Sequence, residues 1–291
     1  MGTLIDRVEV AAGGWRTRHS GLRLATKAAT DCLARAGRRP QDVDLLVNAG
    51  IYRDRNLGEP ALAAMIQEDI GANPEDPHYD AHGTFSFDIA NGSCGVLTAL
   101  QIVDGFFKSG AIDCALVVAS DADPGRHMSV AFPFSPTGAA LLCEWADGDR
   151  GLGRVHWSSN LDGGECFNAT VGMIDRRNVL RFHQSTELDQ RFASAAAGSV
   201  AECLAASSLR VEDLDAIIAA PARPGFRARL AERLDIGEEH ITVAEDERMH
   251  TASLAAAFER GTRGVLPGGL VLLIAAGAGV TAGAALYRLP R

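Results

Sequence analysis

The chain repeats itself, and that limits its architecture more than any other feature. Asp31-Cys-Leu-Ala-Arg is matched by Glu202-Cys-Leu-Ala-Ala, and Arg39-Pro-Gln-Asp-Val-Asp-Leu-Leu-Val by Arg210-Val-Glu-Asp-Leu-Asp-Ala-Ile-Ile, in one register without a gap. Each copy reads as an Ala-rich amphipathic helix, an acidic turn (Asp42 and Asp44; Asp213 and Asp215) and a short aliphatic strand. The downstream segments also agree in kind. Phe87-Asp-Ile-Ala predicts a strand, a small-residue turn comes next, 96–108 predicts a helix, and 114–120 a buried strand. In the second half Ile241-Thr-Val-Ala predicts the strand, 251–260 the helix and 270–276 the buried strand. Strands alternating with helices form a mainly parallel sheet covered on both faces. The expectation is therefore an α/β fold of two pseudo-symmetric βαβαβ halves, 1–155 and 156–291, in an α-β-α-β-α stack, with any active site where the halves meet.

Composition narrows the class. With 47% hydrophobic and 22% charged residues the chain has the balance of a packed globular protein. A formal net charge of −9 argues against nucleic acid or an anionic membrane as the main partner. The opening MGTLIDRVEV has no basic segment followed by an apolar one, so no signal peptide is expected. The six cysteines form no C-x-x-C pair and have no histidine at zinc-ligand spacing. Five of them sit in or near apolar runs and read as small core residues, which fits a reducing cytoplasm, and no metal site is expected. Residues 265–287 carry no charge, yet contain Pro267 and five glycines. Two buried strands joined by a glycine turn explain that pattern better than a membrane span.

The run Phe87-Asp-Ile-Ala-Asn-Gly-Ser-Cys-Gly-Val, followed by a helix and then Lys108-Ser-Gly-Ala-Ile-Asp-Cys-Ala-Leu-Val-Val-Ala-Ser-Asp, resembles the nucleophile segment of β-ketoacyl-acyl-carrier-protein synthase III, in the thiolase superfamily. The run from Pro267 to Leu286 resembles the family's last strands, including a glycine loop, here Gly277 and Gly279, that approaches the active site. The N-terminus is shorter than in typical members, so the first strand is expected to be cut down or differently placed. The resemblance implies an acyl group from CoA or acyl carrier protein, no bound cofactor, and a homodimer with the strand 114–120 pairing across the axis. A heterodimer with another ketosynthase-like subunit is the variant. It also implies fatty-acid-like or polyketide biosynthesis as the setting.

The family's mechanism uses a cysteine at a helix start, then a histidine and an asparagine from the second half. Placing its Cys-x-Gly on Ser93-Cys94-Gly95 puts Ser93 at the nucleophile position, Ala220 at the histidine and His250 at the asparagine. A serine needs a base, and His250 is the candidate, giving an acyltransferase that works through a Ser93 ester. Without a histidine at 220, decarboxylative condensation is expected to be impaired. Two other readings stand beside this one: a turn slipped by one residue makes Cys94 the nucleophile of a condensing enzyme, and a dead site makes the chain an inert partner subunit. Phe132 is a candidate for lining an acyl tunnel. Arg223 and Arg227, with Arg229, are candidates for holding phosphates or an acidic carrier protein. Asp121 reads as a strand-end cap. His82 reads as a loop histidine rather than a ligand, and His183 falls near where the family's tunnel helix begins, with a substrate contact not the favoured reading.

Overall fold

The computed structural model describes residues 2–73, 83–159, 165–277 and 279–290; His82 lies outside them. The first sheet has five strands in the order β1-β5-β4-β2-β3, made of β1 (Gly2–Ala12), β2 (Leu45–Asn48), β3 (Phe85–Asp88), β4 (Cys114–Asp121) and β5 (Thr137–Ala146). The second runs β11-β10-β12-β13-β6, with β7 also paired to β13. Its strands are β6 (Gly151–Leu152), β7 (His156–Ser159), β10 (Ala216–Ala220), β11 (Ile241–Thr242), β12 (Leu270–Gly277) and β13 (Thr281–Arg288). A separate hairpin joins β8 (Phe167–Ile174) to β9 (Arg177–Gln184).

The repeat in the sequence is a repeat in hydrogen bonding. The Arg39 N–H donates to the Asp42 carboxylate over 2.9 Å, and the Arg210 N–H to Asp213 over 2.8 Å. Two residues on, the Asp44 carboxylate accepts from Cys114 N–H at the start of β4 (2.9 Å), and Asp215 from Leu270 N–H at the start of β12 (2.7 Å). The acidic turns therefore pin each central strand to its parallel neighbour.

Both central strands are buried along their whole length, because helices cover both faces. On β4, Leu116 and Val118 pack with α1 (Gly21–Ala36) and α2 (Leu62–Ile70), while Ala115, Val117 and Ala119 face the core shared by the two sheets. That middle layer holds α3 (Gly95–Lys108) and α6 (Ser253–Gly261); α4 (Leu188–Ser207) and α5 (Pro224–Leu234) cover the far side of the second sheet. The order is α-β-α-β-α. Ser20 caps α1 by accepting from Arg23 N–H over 3.2 Å, and Gly37 closes it at φ 67°.

Two expectations change. The first strand is not shortened: β1 spans 11 residues and pairs antiparallel with β5 along its length. Nor can the strand 114–120 pair across a dimer axis, because β4 is already bonded to β5 and β2. The sheet ends instead at β3, where Phe85 is 58% exposed. Residues 265–287 do form the hairpin of β12 and β13, and no helix among the described residues is long and apolar enough to cross a membrane.

Candidate active site

Gly92, at φ 52°, lets the chain leave β3 and turn sharply into α3, and Ser93 sits in that turn. The turn is pressed against the end of β12. A Cβ on Gly277 would lie 3.0 Å from Cys94 Sγ and 3.1 Å from both Asn91 O and Cys94 N, so only glycine fits there without a shift. The Ser93 hydroxyl, 3% exposed, donates to the Ala276 carbonyl of β12.

A cavity of about 220 Å³ opens over this turn, lined by Ser93 and, from the second half, His250. Phe134, Phe167, Leu188 and Phe192 make much of its wall apolar, and Gln184, Arg223, Glu247 and Arg248 bring polar groups to it. His250 stacks on Phe134 with ring centroids 4.1 Å apart, and more loosely on Tyr52 at 5.4 Å. Its Nδ1 lies 3.1 Å from Oδ2 of Asp121, the last residue of β4. The same Oδ2 accepts from Thr251 N–H (2.9 Å) and Thr251 Oγ1 (2.6 Å), and Oδ1 accepts from Tyr52 N–H (3.0 Å). Burial alone would push the Asp121 carboxyl up; His250 and these hydrogen bonds outweigh it and hold the group below the usual carboxylate range. Asp121 is thus an ionised carboxylate inside the protein, fully committed to donors.

Ser93 and His250, from opposite halves, therefore share one cavity. Cys94 does not line it: its side chain is fully buried, its thiol reaches Thr281 O at 3.4 Å, and burial pushes its pKa well up. Ala220 ends β10 beside Ala275 and is buried, so it offers only a methyl group where the resemblance expects an imidazole. Arg223 reaches the cavity but is paired with Asp189. Arg227 is turned away, donating twice to the Glu238 carbonyl (2.9 and 2.7 Å), and Arg229 pairs with Glu232. Phe132 stands behind the wall, edge-on to Phe134 at 5.7 Å. Gly279, at φ 73°, is at the exposed tip of the β12–β13 hairpin. His183 is exposed on β9.

Sequence reasoning missed what Asp121 does. The signal was present: a carboxylate closing the wholly apolar run Cys114 to Ala119 has no water to face and so demands a partner. The partner lies 129 positions away, which local pattern cannot show.

Residues 204–289 match the family model for the C-terminal part of 3-oxoacyl-[acyl-carrier-protein] synthase III. Over 313 aligned positions the chain is 29% identical to the β-ketoacyl-[acyl-carrier-protein] synthase III of Paramagnetospirillum magneticum, covering 98% of this chain and 90% of that one. Among solved structures it is similar to 3-oxoacyl-(acyl carrier protein) synthase III from Pseudomonas aeruginosa PAO1 (TM-score 0.80, 20% identity, covering 100% of this chain and 99% of that one). It is also similar to the priming β-ketosynthase of the R1128 polyketide pathway (TM-score 0.78, 20% identity, 99% and 96% covered). At these identities the structures share the fold.

Proposed function

We propose, from its similarity to β-ketoacyl-[acyl-carrier-protein] synthase III proteins over nearly its whole length, that the chain is a ketosynthase III-like member of the thiolase superfamily and an acyltransferase working through Ser93. The observation that carries this reading is that Ser93 and His250 line the same largely apolar cavity at the junction of the halves. An acyl thioester of CoA or of an acyl carrier protein is the donor, by analogy with the named relatives. The Ser93 Oγ attacks the thioester carbonyl, the C–S bond breaks, and the hydroxyl proton leaves through His250 to the thiolate sulfur. Within the turn the N–H groups of Cys94 and Gly95 are already given to Asn91 O and Gly92 O, so the Ser93 N–H is the oxyanion donor this turn has to offer. An acceptor hydroxyl, amine or thiol then attacks the ester carbonyl as His250 takes its proton, the bond from the acyl carbon to Ser93 Oγ breaks, and His250 returns that proton to Ser93 Oγ.

Ala220 weighs against decarboxylative condensation, because a methyl group cannot donate to a malonyl thioester carbonyl. The burial of Cys94 weighs against a cysteine nucleophile. One observation favours a second reading, an inert partner subunit: the Ser93 proton is given to Ala276 rather than His250. A homodimer would use the edge strand β3, since β4 is enclosed. The test is intact mass after incubation with acetyl-, butyryl- and octanoyl-CoA. The acyltransferase reading expects an acyl adduct that the Ser93→Ala variant lacks; the inert-partner reading expects none.

A further inference from the structure

We propose that Asp121 is a positioning residue that fixes the tautomer of His250 and aims its Nε2 into the Ser93 cavity. The geometry supports this from both ends. An ionised carboxylate only accepts hydrogen bonds, so at 3.1 Å the proton between Asp121 Oδ2 and His250 belongs to Nδ1. A neutral imidazole then has its free lone pair on Nε2, the nitrogen remote from Asp121. The carboxylate itself cannot drift: it takes two hydrogen bonds from Thr251 and one from the Tyr52 backbone, and lies 1% exposed. Phe134 and Tyr52, stacked along the imidazole, fix its plane. Because Asp121 belongs to the first half and His250 to the second, this contact also sets where the base stands relative to Ser93. Asp121 touches no substrate. Its catalytic consequence rests on the reading of Ser93 as nucleophile; the tautomer does not.

During acylation the Nδ1–H stays with Asp121 while Nε2 takes the Ser93 proton. The imidazolium so formed faces the carboxylate, and returning the Nε2 proton to the departing thiolate restores the starting charges. An amide at 121 spoils this arrangement. Donors already occupy both carboxylate oxygens, so the NH₂ of an asparagine must face either Tyr52 N–H or the Thr251–His250 side.

The experiment combines nitrogen-15 NMR of the histidine rings with the rate of acyl-adduct formation from acetyl-, butyryl- and octanoyl-CoA. The wild type is expected to show His250 as the Nδ1–H tautomer. Asp121→Asn should lower the population of that tautomer and slow acylation about 10²- to 10⁴-fold, the range for losing an oriented base. Thr251→Val removes one donor to the same carboxylate but leaves the imidazole bond, and should keep the tautomer and stay within about 3-fold in rate, since no oriented proton acceptor is lost. An Nε2–H tautomer in the wild type overturns the proposal, as does an Asp121→Asn protein acylated at the wild-type rate. So does an equal loss in Thr251→Val, which would make Asp121 only a brace for the turn. An Nδ1–H tautomer in a wild type that no donor acylates sustains the positioning claim and defeats the Ser93 reading instead.

Discussion

Two strand-to-helix junctions, related by the repeat, meet in the cavity, and they are held in different ways. The first, between β3 and α3, carries Ser93 and is braced by backbone: Ser93 donates to Ala276 O, and the missing side chain of Gly277 lets β12 close on the turn. The second, between β11 and α6, carries His250 and is braced by a side chain from the other half, the buried Asp121. Backbone bracing tolerates little change of shape, whereas the side-chain brace is a matter of charge. On the proposed reading the duplicated elements take complementary tasks, one presenting a hydroxyl and the other a base.

The largest expected effect that separates the two junctions is chemical. His250→Ala should reduce the acylation rate by about 10²- to 10⁴-fold, measured by time-resolved intact mass, because the proton acceptor is lost. It also takes one of several donors from the buried Asp121 carboxylate, a loss of about 1–3 kcal/mol that urea unfolding should show. Retained acylation would show that the second junction is only structural.

Shape comes next. Gly277→Ala places a methyl within 3.0–3.1 Å of Cys94 Sγ and two backbone atoms, so the nucleophile turn must move. Overpacking of this kind costs about 1–3 kcal/mol. Thermal unfolding should shift down accordingly, and acylation should fall although no reactive group is touched. An unchanged melting temperature would mean that β12 does not brace the turn.

A smaller effect distinguishes charge from shape through pH. The folded-state pKa of Asp121 lies below its unfolded value, so the stability it contributes is complete above the ordinary carboxylate range. It is lost as pH falls through the depressed folded value, below about 4. Asp121→Asn should flatten the acid limb of the stability curve, while Gly277→Ala should lower the curve in parallel.

The smallest effect is expected at Arg227, whose guanidinium is tied to the Glu238 carbonyl outside the cavity. Arg227→Ala should leave acylation within about 2-fold, in line with an exposed group remote from the reacting atoms.

The parts of the molecule legible in the sequence are those written locally. The repeat of Asp42-Val-Asp44 and Asp213-Leu-Asp215 announced two similar sheets, and the glycines of 265–287 announced a hairpin rather than a membrane span. Which strand lay at the sheet edge was not legible. The apolar run of β4 looks like any buried strand, and only the long-range order β1-β5-β4-β2-β3 encloses it and puts β3 at the end of the sheet. At the site, the turn around Ser93 could be read from its small residues, whereas the tie between His250 and Asp121 depends on the two halves closing on each other.

The most direct test of Ser93 as the nucleophile is intact-mass analysis of the wild type, Ser93→Ala and Cys94→Ala after incubation with the three acyl-CoA donors. An acyl adduct is expected on the wild type and on Cys94→Ala, and none on Ser93→Ala. An adduct that survives in Ser93→Ala but disappears in Cys94→Ala would contradict that assignment.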